Sequence, residues 1–158
     1  MRESMGQIFG LKLRYLRTRS QLTQVELAQR LQLASHAHVS NLEAGRFDPS
    51  LEMIVTVAEI FAVRVEYLIQ DRLPADAAEE YQRESSTSAR SAHSFGPRLA
   101  QLRIETGNTQ AQLADQLGLA AQAHVSFLES GKKLPSVDLL LRVADLFGVP
   151  VDSLLSPE

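Results

Sequence analysis

His36, His38, Ser40 and Asn41 fall within six residues of one another, and Gln122, His124, Ser126 and Phe127 repeat that spacing 86 residues later. Groups of this kind are hydrogen-bonding readers. An amide donates and accepts side by side, and a neutral imidazole donates from one nitrogen and accepts at the other. Two histidines two residues apart on a helix cannot converge on one metal ion. The chain also lacks a Gly-rich phosphate loop and a G-x-S-x-G elbow, so neither an enzyme nor a cofactor is expected. The spacing suits the edges of base pairs, each of which shows its own donor and acceptor pattern in the major groove of duplex DNA; Asn41 can bond bidentately to adenine. Phe127 can make no such bond, and it fits either a thymine methyl or an interaction surface.

These residues sit inside a duplication. AHVSNLEAGR from Ala37 to Arg46 returns as AHVSFLESGK from Ala123 to Lys132, and the wider alignment runs from Phe9 against Phe95 to Asp71 against Pro157. About 27 of its 63 positions match, the mark of an internal repeat. The matches carry helical spacing: Leu13 and Leu16 with Leu99 and Leu102, Leu27 and Leu31 with Leu113 and Leu117, Val57 and Phe61 with Val143 and Phe147. A first helix carrying Phe9, Leu13 and Leu16 must finish near Ser20. Thr23 with Glu26, and Thr109 with Gln112, read as capping boxes that start a second helix. The third turns Val39 and Leu42 inward, and Gly45 and Gly131 sit where a helix end needs a left-handed residue. Ser50 caps a fourth with Leu51, Ile54, Ala58 and Phe61 on one face, and Val65 and Leu68 suggest a short fifth. No segment alternates with period two. The expectation is an all-α chain of two tandem five-helix domains, residues 1–70 and 95–158.

Two short helices joined by a tight turn form a helix-turn-helix. Through LTQVELAQRL, VSNLEAGR and PSLEMIVTVAEIFAV, and again through NTQAQLADQL, VSFLESGK and PSVDLLLRVADLFGV, the chain resembles the Xre/Cro family of lambda-repressor-like DNA-binding domains. The resemblance covers about four-fifths of the chain. It implies that the third helix enters the groove with the eight residues above, and that Arg46, Lys132 and Lys133 contact phosphate just beyond it. It also implies a structural ion pair between the first and third helices, Arg17 with Glu43 and Arg103 with Glu129. Gln24 and Gln110, at the start of the second helix, can add an amide to its positive end and hold a phosphate. The stretch from Leu31 to Gly45 is one residue longer than the family spacing, as is Leu117 to Gly131, which makes His36 and Gln122 less firmly placed than Asn41. Ala37 and Ala123 are small enough either to approach a thymine methyl or to let the helix pack closely.

Residues 71–94, DRLPADAAEEYQRESSTSARSAHS, are acidic and then Ser-rich, and they read as a linker that could be helical from Ala75 to Glu84. Extended, it would span up to about 80 Å; as a coil it averages roughly 27 Å. The whole chain of 158 residues has a net charge of −3, so affinity for phosphate needs a local basic face. Residues 1–70 hold eight Lys and Arg against seven Asp and Glu, while residues 95–158 hold five against seven. Arg14, Arg19 and Arg30 become Ala100, Glu105 and Gln116, so the first repeat is expected to bind DNA more strongly. With no cysteine, no signal peptide and no membrane-length apolar run, the expectation is a cytoplasmic, nucleoid-associated protein, and the resemblance implies a regulator of transcription, a repressor. Its partner is double-stranded DNA. Homodimerisation is compatible with this reading, and the alternative is an adaptor or antitoxin-like regulator whose second repeat docks a protein.

Overall fold

Ser4 accepts the Gln7 N–H and the Gln7 side chain accepts from the Ser4 N–H, so a capping box starts α1 (Met5–Arg19) four residues before its first core aromatic. The computed structural model describes residues 3–83 and 89–157, which divide into two units at Thr87 and Ser88. In the first, α1 is followed by α2 (Gln24–Arg30), α3 (His36–Glu43), α4 (Leu51–Phe61) and α5 (Val65–Ile69). In the second, α6 (Phe95–Glu105), α7 (Gln110–Gln116), α8 (Gln122–Glu129) and α9 (Val137–Phe147) lead into a 3-10 helix, Val151–Leu155. Among the described residues there is no strand, only an antiparallel bridge between Val63 and Gln82. The fold is all-α, and the fifth helix of the second repeat is a 3-10 helix where that of the first is an α-helix.

The capping boxes at Thr23 with Glu26 and at Thr109 with Gln112 both form. Ser50 and Ser136 each accept the N–H three residues on, starting α4 and α9. Gly45 and Gly131 take positive φ one residue past the caps of α3 and α8.

Each unit builds its own core from the same register. Phe9, Leu13, Leu27, Val39, Ile54, Val57 and Leu68 are fully buried, and so are Phe95, Leu99, Leu113, Val125, Leu140, Val143 and Leu154 at the aligned positions. Burying one such side chain stabilises by about 1.5 to 3 kcal/mol. Around these cores α1 packs on α3 and α5, and α6 packs on α8 and the final 3-10 helix. The fourth element of each unit completes the enclosure: α4 packs on α5, and α9 on the 3-10 helix that follows it.

Much of the stretch expected to be linker is built into the units. The 3-10 helix Ala75–Glu79 packs on α1 and buries Ala78. The Tyr67 hydroxyl donates to the Ala75 carbonyl at 2.5 Å, and the rings of Tyr67 and Tyr81 stack with centroids 6.3 Å apart. The Arg64 N–H donates to Tyr81 and the Arg83 N–H to Ala62, each at 2.8 Å, while the Arg83 guanidinium pairs with Glu59. In the second unit the Ser91 N–H donates to Leu155 at 2.8 Å and Arg90 pairs with Asp152. Residues 84–88 lie outside the described residues. The segment has no apolar stripe because backbone bonds, Tyr81 and two buried alanines, Ala78 and Ala92, hold it down, and none of these has a helical period.

Candidate nucleic-acid interface

Val39 and Leu42 are buried, and with 100° between successive residues they fix which way α3 faces. Ala37, Ser40 and Asn41 fall opposite them; His36 and His38 fall on the flanks. All except half-buried Asn41 are exposed. His38 is turned aside, its ring edge-on to Phe47 at 6.2 Å between centroids. On α8, Val125 and Leu128 point inward, which puts Ala123, Ser126 and Phe127 outward and Gln122 and His124 on the flanks. Phe127 is 41% exposed.

The basic residues beyond these helices fold back onto them. Arg46 Nη1 donates to Asn41 Oδ1 at 2.8 Å. At the aligned place in the second unit, the Lys132 ammonium lies 5.8 Å from the centroid of the Phe127 ring. Lys133 is exposed, and its backbone N–H donates to the Phe127 carbonyl at 3.1 Å.

A clamp beneath α3 and another beneath α8 set the position of each helix. Arg17 Nε and Nη2 donate to the two carboxylate oxygens of Glu43 at 2.5 and 3.1 Å, and Nη1 donates to the Leu22 carbonyl at 2.9 Å. Gln24 Nε2 donates to the same Glu43 at 3.1 Å. The second unit repeats each contact: Arg103 Nε and Nη2 to Glu129 at 2.6 and 3.2 Å, Nη1 to the Asn108 carbonyl at 3.0 Å, and Gln110 to Glu129 at 2.9 Å. The glutamates keep only 5% and 9% of their side-chain surface exposed. Hydrogen bonding to the carboxylate raises the pKa of Arg17 and of Arg103, so both guanidiniums stay charged. A bidentate fork fixes direction as well as distance.

Gln24 and Gln110, read from the sequence as phosphate donors, thus spend one amide hydrogen on the clamp and tie the start of the second helix to the end of the third. Gln110 Oε1 also accepts from Gln122 Nε2 at 3.4 Å. Sequence reasoning passed over Gly10 and Gly96. A Cβ on Gly10 would lie 2.3 Å from the Leu42 carbonyl oxygen, and one on Gly96 would lie 2.5 Å from that of Leu128. The first helix of each unit therefore meets the end of the third backbone to backbone. The signal was present as Phe-Gly written twice in register at residues 9–10 and 95–96. Among the described residues no group of three or more acidic or histidine side chains could hold a metal ion. No helix there is long and apolar enough to cross a membrane.

Residues 8–66 match the helix-turn-helix domain family and residues 99–154 the helix-turn-helix family. An uncharacterised HTH-type transcriptional regulator of Methanocaldococcus jannaschii is 36% identical over 55 residues, 35% of this chain and 82% of that protein. The chain belongs to the helix-turn-helix family, as a tandem of two Xre/Cro-like domains. The cryptic phage CTXphi transcriptional repressor RstR of Vibrio cholerae is 37% identical over 57 residues, 36% of this chain and 50% of that protein. The HTH-type transcriptional activator BcrR of Enterococcus faecalis is 42% identical over 64 residues, 40% of this chain but 31% of that protein. The helix-turn-helix chain thus spans half or less of these last two relatives. No solved structure matches it.

Proposed function

We propose that the chain is a sequence-specific DNA-binding regulator of transcription, a repressor, that places α3 and α8 in the major grooves of two related but unequal half-sites. The observation that carries this reading is the clamp: twice over, a largely buried Arg-Glu-Gln cluster fixes a short helix whose outward face has no place in the core. In the first unit Ser40 and Asn41 read bases, with His36 and His38 at the flanks and Arg46 on phosphate. In the second, Ser126 and Phe127 occupy the centre, Gln122 and His124 the flanks, and Lys132 and Lys133 the backbone. Gln24 and Gln110 add their remaining amide hydrogen to phosphate. Phosphate contacts set position and base contacts set sequence. The relatives named above as a transcriptional repressor, a transcriptional activator and a regulator support the assignment.

Selection of bound duplexes from a random pool by the full chain, at about 50 mM salt, tests it. Recovery of one sequence with two related half-sites, bound at about 10⁻⁸ M or tighter, is expected. Retention of no duplex at that salt would remove the reading. A second reading rests on exposed Phe127 and the more acidic second repeat, which would then dock a protein. A selected sequence holding a single half-site, with a protein co-purifying through the second unit, would favour it. Homodimerisation belongs to either reading and shows as a duplicated selected site.

A further inference from the structure

The two units make the same contact from different chemistry. Residues 41 and 46 align with 127 and 132, and in each case the cation just past the reading helix reaches back five residues to the centre of its outward face. In the first unit this is a guanidinium on an amide oxygen; in the second it is an ammonium over an aromatic ring. A cation within about 6 Å of a ring centroid is attracted to the ring face, which steadies the ring. Both cations stay exposed.

The exchanged residue changes what can be read. An asparagine distinguishes bases by hydrogen bonds. A phenylalanine has none to offer, and the apolar group that a base pair displays in the major groove is the 5-methyl of thymine. Ala123 lies one helical turn before Phe127 on the same outward face and is also exposed, so α8 presents a short apolar strip where a methyl would lie. We propose that Phe127 is a specificity-determining residue that packs on a thymine 5-methyl in the half-site of the second unit, held over it by Lys132, which bridges to the adjacent phosphate. The half-sites then differ in kind: the first is read through hydrogen bonds by Asn41, the second through a methyl. This rests on the DNA-binding reading above.

The test uses the full chain and duplexes selected from the random pool, with each thymine of the bound sequence replaced in turn by deoxyuridine. That exchange removes the methyl and leaves base pairing intact. Affinity is expected to fall about fourfold at one or two thymines of a single half-site, the factor for one buried methyl-sized group. Phe127→Ala is expected to bind the thymine duplex as weakly as the wild type binds the deoxyuridine duplex, and to ignore the exchange. Phe127→Asn, which installs the residue of the first unit, is expected to ignore it too and to favour adenine there. Phe127 is exposed enough for both variants to fold, which circular dichroism checks. The proposal is overturned if the wild type binds every deoxyuridine duplex as tightly, or if Phe127→Ala keeps the same sensitivity. In either case the selected duplex still binds, so the DNA-binding reading survives. Failure to select any duplex removes both.

Discussion

Arg46 and Asn41 share one hydrogen bond, yet their removal should be felt differently on DNA. Asn41→Ala is expected to lower affinity for the selected site by about 1 to 3 kcal/mol and to flatten preference at one base pair. Arg46→Ala should weaken cognate and random duplexes alike and reduce the slope of log affinity against log salt by about 1. Anisotropy titrations at several salt concentrations separate the two, and equal losses on cognate and random DNA for Asn41→Ala would strip it of its role. A second residue-scale effect belongs to Lys12. Its side chain is 2% exposed, its ammonium donates to the carbonyls of Tyr67 and Gln70 at 2.5 Å, and it lies 5.0 Å from the centroid of the Tyr67 ring. Burial outweighs the attraction of Asp71 and lowers its pKa from 10.5 to about 8. Between those two values the unfolded chain binds more protons than the folded one. Stability of the first unit therefore rises with pH across that window, by no more than about 3 kcal/mol, and the penalty is fully present below it. Melting of the full chain from pH 7 to 10 should show the rise, and Lys12→Met should abolish it.

At the scale of the elements, the contact between the first and third helices of each unit leaves no room for a side chain. Backbone carbonyls cannot swing away as a flexible side chain can, so Gly10→Ala must push α3 off α1 and pull Glu43 from Arg17. A loss of about 1 to 3 kcal/mol of stability is expected, with DNA affinity falling further than in Arg46→Ala because the whole reading helix moves. Thermal melting and titration check this; no change in either would mean the two helices can part freely. The turns tell a complementary story. Gln21, Gln32 and Ala62 have φ of 58, 55 and 52°, while the aligned residues of the second unit are Gly107, Gly118 and Gly148. A left-handed conformation costs an L-residue about 1 to 2 kcal/mol, part of which glycine gives back through its freer unfolded chain. All three side chains are exposed. Gln21→Gly, Gln32→Gly and Ala62→Gly are each expected to stabilise the first unit by about 0.5 to 1 kcal/mol, read as a higher denaturant midpoint.

For the whole molecule, two cores in one chain imply two unfolding events. Arg17→Ala strands a largely buried Glu43 and is expected to lower one calorimetric transition by the equivalent of about 3 to 5 kcal/mol while leaving the other in place. Arg103→Ala should do the converse. Both variants lowering both transitions would show the two cores to be coupled. Charge is also divided unequally, with the excess of Lys and Arg in residues 1–70 and the excess of Asp and Glu in residues 95–158. Two copies of one scaffold thereby hold surfaces of different charge, and the scaffold is what their shared core positions preserve.

The Arg-Glu partners were implied by the family resemblance and the Ser4 cap of α1 was not read, whereas the order of the helices, the capping boxes at Thr23 and Thr109, the glycine ends at Gly45 and Gly131 and the duplicated core could be read from residue order. Each rests on a local rule: a cap three residues from its partner, an apolar stripe of period 3.6, a glycine where the chain turns left-handed. Tertiary structure alone decided that His38 leans on Phe47, that Gln24 and Gln110 join the clamp, that Ala75–Glu79 packs onto α1 and Tyr81 onto Tyr67, and that Arg46 and Lys132 fold back onto residues 41 and 127. It also showed that the two repeats end differently, in an α-helix and in a 3-10 helix. The clamp and the packing on α1 depend on apolar faces bringing together elements 19 or more residues apart, and the contacts of Arg46, Lys132 and Phe47 depend on the path the chain takes past the helix end, so none of them carries a sequence period of its own.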